Sequence, residues 1–143
     1  MVFVSITRLR IRSVRFLPGF ALYALRTVAQ VKRAGGFRGG SLMPDRSWTF
    51  WTMTAWESEA AMRAYMLAGA HKASMPKLLD WCDEASVVHW EQAETELPTW
   101  TEADRRMRAS GRISKVRHPS AEHAGMQYPE PRVTGGGPIR PAK

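Results

Sequence analysis

The chain has a single cysteine, Cys82, among 143 residues. That rules out an internal disulfide, leaves no second thiol for a zinc cage, and points to a reducing, cytoplasmic compartment. No stretch reaches the ~18 uncharged apolar residues of a membrane span. The apolar run from Phe16 is interrupted by Pro18, Gly19 and Arg26, and Met1–Ile11 reads as a strand rather than a secretion signal. Acid is scarce at the start: residues 1–56 hold nine Lys/Arg against one Asp, 57–98 hold three against eight acids, and 99–143 hold nine against four. Such basic ends would attract phosphate-bearing partners or an anionic membrane surface. The arginines are not interleaved with exposed aromatics, so no nucleic-acid partner is expected. Ser-His-Asp and metal-ligand spacings are missing, and Gly135-Gly136-Gly137 lacks the strand-to-helix context of a phosphate loop.

What is present is a core. The composition is 44% hydrophobic with six tryptophans, enough for one folded domain. Three of the six lie in Ser47–Met66, where a strand pattern runs almost directly into an amphipathic helix. One face of that strand carries Trp48, Phe50, Thr52, Thr54 and Trp56; the other carries Thr49, Trp51, Met53 and Ala55. Exposing one tryptophan of ~200 Å² forfeits several kcal/mol at ~25 cal/mol per Å². A sheet with helices on one side therefore needs a second cover for this strand, from a partner subunit or a bound ligand.

Punctuation along the chain orders the elements. Val2–Ile11 reads as a first strand whose Arg8, Arg10 and Arg12 leave the core for solvent. Pro18 opens a helix with Phe20, Ala24, Val28 and Val31 on one face, and Gly35-Gly36 stops it. Phe37–Met43 is a weaker strand broken by Gly39 and Gly40, joined to the Trp-rich strand through turn chemistry at Pro44-Asp45-Arg46. Glu57 and Glu59 favour the start of the next helix, which should break near Gly69, and Pro76 should begin a new segment. His71 falls at that junction. Val87, Val88 and Trp90 make a fourth strand, with His89 structural or exposed and Cys82 a small buried hydrophobe. This order is the βαββαβ arrangement of ferredoxin-like α+β folds with an antiparallel sheet, spanning residues 1–97. Thr99 and Glu102 form a capping box for a C-terminal helical extension over 98–118, and a disordered tail is expected over 119–143.

The stretch Pro44–Met75, PDRSWTFWTMTAWESEAAMRAYMLAGAHKASM, resembles the strand-helix core of the dimeric α+β barrel superfamily of antibiotic-biosynthesis-type monooxygenases. Within it, Pro44–Met62 is most similar to spheroidene monooxygenase-like proteins and their small relatives. The resemblance implies a homodimer in which two sheets pack face to face, supplying the second cover. It also implies an oxidoreductase acting on an apolar polyene or aromatic small molecule within each barrel. Several haem-binding members place a histidine at the end of the second helix, where His71 falls; this implies His71 as catalytic residue or haem ligand, with haem as the possible cofactor. Trp51, Trp56, Met62, Tyr65 and Met66 are the candidate substrate-binding side chains, although strand alternation keeps Trp51 and Trp56 from facing one cavity. Two other classes stay open: a non-catalytic barrel holding a small hydrophobic ligand or haem, and a structural dimer.

Overall fold

The computed structural model describes residues 1–133 and 137–142. β1 (Val2–Ile11) leads through one 3-10 turn (Val14–Phe16) into α1 (Leu17–Lys32). The hairpin β2 (Phe37–Asp45) and β3 (Thr49–Trp56) follows, then α2 (Glu59–Met66), α3 (Gly69–Trp81) and β4 (Cys82–Gln92). Beyond these lie α4 (Trp100–Ser110), β5 (Arg112–Ile113) and β6 (Gly137–Ile139). The strands pair antiparallel in the order β5-β4-β1-β3-β2-β6, so the ferredoxin-like α+β core is present with β1 and β3 at its centre. Among the described residues no helix is long and apolar enough to cross a membrane.

Local chemistry accounts for the element ends. Pro18 sits in the first turn of α1, and the Ser58 hydroxyl accepts from Ala61 N (3.1 Å) to cap α2. Thr99 Oγ1 accepts from Glu102 N (3.1 Å), the expected cap of α4. The hairpin turn falls later than the sequence suggests. Ser47 and Trp48 both take a φ of 58°, matching the strand twist, while Pro44 and Asp45 extend β2. A Cβ at Gly40 would run into the Met53 carbonyl, so the glycine expected to break β2 instead lets it lie tightly on β3. Pro76 does not start a helix; it lies inside α3 on the exposed side, where water can serve the freed carbonyl.

Strand alternation divides the core. Trp56 joins Phe3, Val31, Phe37, Met62 and Tyr65 beneath the helices α1 and α2, whereas Trp51, Met53 and Ala55 join Val2, Val4, Ile6, Val88 and Trp90 on the opposite face. That opposite face is covered by the same chain. Trp100, Ala103 and Met107, on one side of α4, seal it together with Tyr128. Trp51 is 1% exposed and packs edge-on against Trp100 (6.4 Å between centroids) and Tyr128 (5.7 Å). On this face α4 and the segment after it supply, from the same chain, the cover that the sequence assigned to a partner subunit.

The expected disordered tail is corrected likewise. Tyr128 donates to Asp104 Oδ1 (2.8 Å), Ser120 Oγ to Glu84 Oε2 (2.8 Å), and Ile139 on β6 is buried in the helix-side cluster. β6 pairs with Gly40–Leu42 of β2. Single apolar residues far apart in sequence each find a slot, without the periodicity that would announce it. Gly135 and Gly136, also assigned to the tail, lie outside the described residues. Cys82 is fully buried, and burial pushes its thiol up to about 12, so it packs as a hydrophobe.

Candidate functional site

The corner between α2 and α3 assembles most of the residues singled out in the sequence. Gly69, at a φ of 54°, lets the chain turn between the two helices. Gln30 of α1 bridges the break: its Nε2 donates to the carbonyls of Tyr65 (3.0 Å) and Ala68 (2.8 Å), and its Oε1 accepts from His71 N (2.8 Å). One side chain thereby ties a carbonyl in the last turn of α2 and the N-cap carbonyl of α3 to an amide in the first turn of α3. His71 packs on Tyr65 (4.9 Å between centroids), Tyr65 on Trp56 (5.2 Å) and Trp56 on Phe37 (5.3 Å).

The electrostatics keep this corner neutral. His71 Nδ1 lies 3.2 Å from the Met66 carbonyl, so an N–H donated there leaves Nε2 as the acceptor. Burial lowers the His71 pKa below 6.5, with the Met66 carbonyl opposing it in part, and the uncharged imidazole is the form present at neutral pH. Burial also raises the Tyr65 phenol, whose O–H reaches the Thr27 carbonyl at 3.5 Å. Trp56, Met62, Tyr65 and Met66 all gather here with His71. Trp51 does not, because its odd position on β3 sends it to the face covered by α4. His89 stands apart, 5.3 Å from Phe3, with a buried Nε2 that has no hydrogen-bond partner among the described residues.

The residues present do not fit a haem. His71 offers a suitable neutral nitrogen. The side chains meant to line a macrocycle are packed on one another: Trp56, Met62 and Tyr65 are each buried in a single cluster with Phe3 and Phe37. Admitting the ring would require opening the helix layer from the sheet, so no chemistry is derived through it.

A second polar centre lies on the α4 side, where the sequence suggested solvent. Arg8 is only 5% exposed, and its Nη1 donates to Glu84 Oε1 (2.8 Å). Arg10 grips Asp83 through Nε (2.9 Å) and Nη2 (2.8 Å) and lies 3.2 Å from Glu84 Oε2. The Tyr128 ring sits between two guanidiniums, 4.3 Å from Arg8 and 4.0 Å from Arg108. An open cavity of about 400 Å³ borders Arg10, Glu84, Gln127 and Tyr128. Arg8 and Ser86 border a separate, smaller pocket of about 10 Å³ that shares Glu84 and Gln127 with it, and among the described residues their Nε and Oγ are buried without partners. The sequence did hold a signal: Asp83-Glu84 open β4 directly across from the arginines closing β1, in a register that pairs Arg10 with Glu84.

Comparison with known proteins places this geometry. The fold is similar to a candidate antibiotic biosynthesis monooxygenase from Nitrosomonas europaea, with a TM-score of 0.58 at 14% identity over 64% of this chain and 90% of that one. It is similar to SnoaB, a cofactor-independent oxygenase from Streptomyces nogalater, with a TM-score of 0.55 at 15% identity over 65% of this chain and 94% of that one. A conserved protein from Methanosarcina mazei gives a TM-score of 0.58 at 9% identity, covering 64% and 93%. At such identities the likeness shows the fold alone, that of antibiotic biosynthesis monooxygenase-like proteins. No curated protein matches the sequence. The family model of a domain of unknown function, DUF3291, matches residues 18–113, most of α1 through β5, and the chain belongs to that family.

Proposed function

We propose that the protein is a monooxygenase-like oxidoreductase that takes an apolar small molecule at the α2–α3 corner and uses His71 as proton acceptor. One observation carries this reading: a neutral imidazole, oriented through Nδ1 by the Met66 carbonyl and available at Nε2, beside the uncharged run Met66-Leu67-Ala68-Gly69-Ala70. The fold shared with a cofactor-independent oxygenase supports it. A substrate C–H made acidic by an adjacent carbonyl gives its proton to Nε2, and the Met66 carbonyl steadies the imidazolium that forms. The electron-rich carbanion then reduces oxygen itself. Converting a CH₂ to C=O consumes one O₂ and releases one water, so no external reductant enters. The buried Tyr65 and Trp56 back the imidazole and hold its plane. Self-association through the sheet face opposite the helices forms no part of this reading, since α4 occupies it. A reducing, cytoplasmic setting is proposed with it, supported by the lone, buried Cys82.

The test is oxygen uptake with enolisable polycyclic ketones and hydroquinones. His71→Ala should lower turnover by roughly 10²-fold or more, the usual worth of a general base, while His89→Ala should not. Because burial lowers the His71 pKa, the base form fills above 6.5. The rate should be flat at higher pH and fall only on the acid side, through a pKa below 6.5. Uptake that persists in His71→Ala removes the assigned role. Saturable quenching of tryptophan fluorescence without any uptake would instead favour the non-catalytic ligand-binding alternative.

A further inference from the structure

The outward surface of α1 is apolar and cationic together. Leu25 is 71% exposed and Leu22 47%, and Val14, just before the helix, is 62% exposed. Exposed Arg15, Arg26 and Lys77 stand among them. Arg26 and Lys77 both lie over the Tyr23 ring, at 5.5 and 5.4 Å, which brings the cation of α3 alongside that of α1. Among the described residues no acid pairs with them: the first acid of the chain is Asp45, and α3 contributes only Asp80, which faces Arg12 (3.5 Å) and His118 (3.4 Å). Three exposed aliphatic groups in one positively charged surface lose the benefit of burial while the protein stays in water.

We infer that this face of α1 lies on an anionic lipid bilayer, with Leu22 and Leu25 at the acyl boundary and Arg15, Arg26 and Lys77 against lipid phosphates. Nucleic acid would satisfy the cations but offers no apolar phase to Leu25. The aromatics it would stack upon are engaged internally, Phe16 and Tyr23 both packing on Trp81. An acidic protein would need a groove cut to the spacing of the two leucines, whereas a bilayer accepts protruding side chains at any spacing. The inference does not depend on the chemistry proposed for His71.

The experiment is co-sedimentation of the full chain with vesicles of phosphatidylcholine alone and of phosphatidylcholine mixed with phosphatidylglycerol. Binding to the mixed vesicles only, weakened by added salt, is expected. The double variant Leu22→Glu/Leu25→Glu should reduce the bound fraction about tenfold or more, as should Arg26→Glu/Lys77→Glu, which changes only exposed side chains and decides the matter if the leucine variant fails to fold. No sedimentation with either vesicle overturns the inference. So does binding undiminished in a folded leucine variant, or displacement from the mixed vesicles by short DNA through the same residues.

Discussion

Deletion of residues 99–143 is expected to turn a chain that covers both faces of its own sheet into one that either melts or pairs with its own copy through the uncovered face. The deletion strips Trp100, Met107 and Tyr128 from Trp51, Met53, Val4 and Ile6. Each large apolar side chain leaving the core forfeits ~1.5–3 kcal/mol, and the partners it uncovers lose a similar amount, against a total stability of ~5–15 kcal/mol. The truncated protein would keep both apolar faces of β3 and only one set of helices, the situation in which a second sheet becomes the cheapest cover. Native mass and thermal melting of the full and shortened chains measure this directly. A shortened chain that stays monomeric with an unchanged Tm would show that α4 rests on the sheet without stabilising it. A cut after His118 should have an intermediate effect, because it keeps α4 and loses Tyr128 and β6.

Glu84→Ala should be the most damaging single substitution on the α4 face. Its carboxylate accepts from Arg8 and Ser120 and lies 3.2 Å from Arg10, and its removal leaves the buried Arg8 guanidinium without an anion. Removing one partner of a buried pair costs ~3–5 kcal/mol, which for a chain of this size lowers Tm by roughly 10 °C or more. Replacing both partners, Arg8→Met with Glu84→Met, should recover much of that loss, since desolvation of two charges offsets much of their attraction. Denaturant melts of Arg8→Met, Glu84→Met and the double variant close the cycle. Loss below about 1 kcal/mol in Glu84→Ala would mean that water already reaches Arg8.

Much of this arrangement was readable from local pattern. The alternation from Thr49 to Trp56 named both faces of β3, because a strand's side-chain period is set by its backbone alone, whereas Trp48, read onto one of those faces, falls in the turn and is 50% exposed. Thr99 and Glu102 announced the start of α4, because a cap is a contact between residues three apart. The run Tyr65 to His71 could be placed at a helix junction, since Gly69 acts on its own backbone, whereas Pro76 stays inside α3 and marked no boundary. By contrast, Arg8 read as solvent-bound because its partner Glu84 lies 76 positions away, and charge burial depends on that meeting. Tyr128 and Ile139 read as tail because an isolated apolar residue has no period to betray what it packs against.

By itself the sequence determined the antiparallel α+β core, the two apolar faces of β3, and the demand for two covers, since each follows from backbone periodicity and the free energy of apolar area. Only the tertiary structure decided who meets that demand. Burial of area is non-directional and rewards a partner subunit and the chain's own helix alike. The choice fell to α4 and Tyr128 through side-chain fit, with Trp51 held between Trp100 and Tyr128, and fit between distant segments is written in no local pattern.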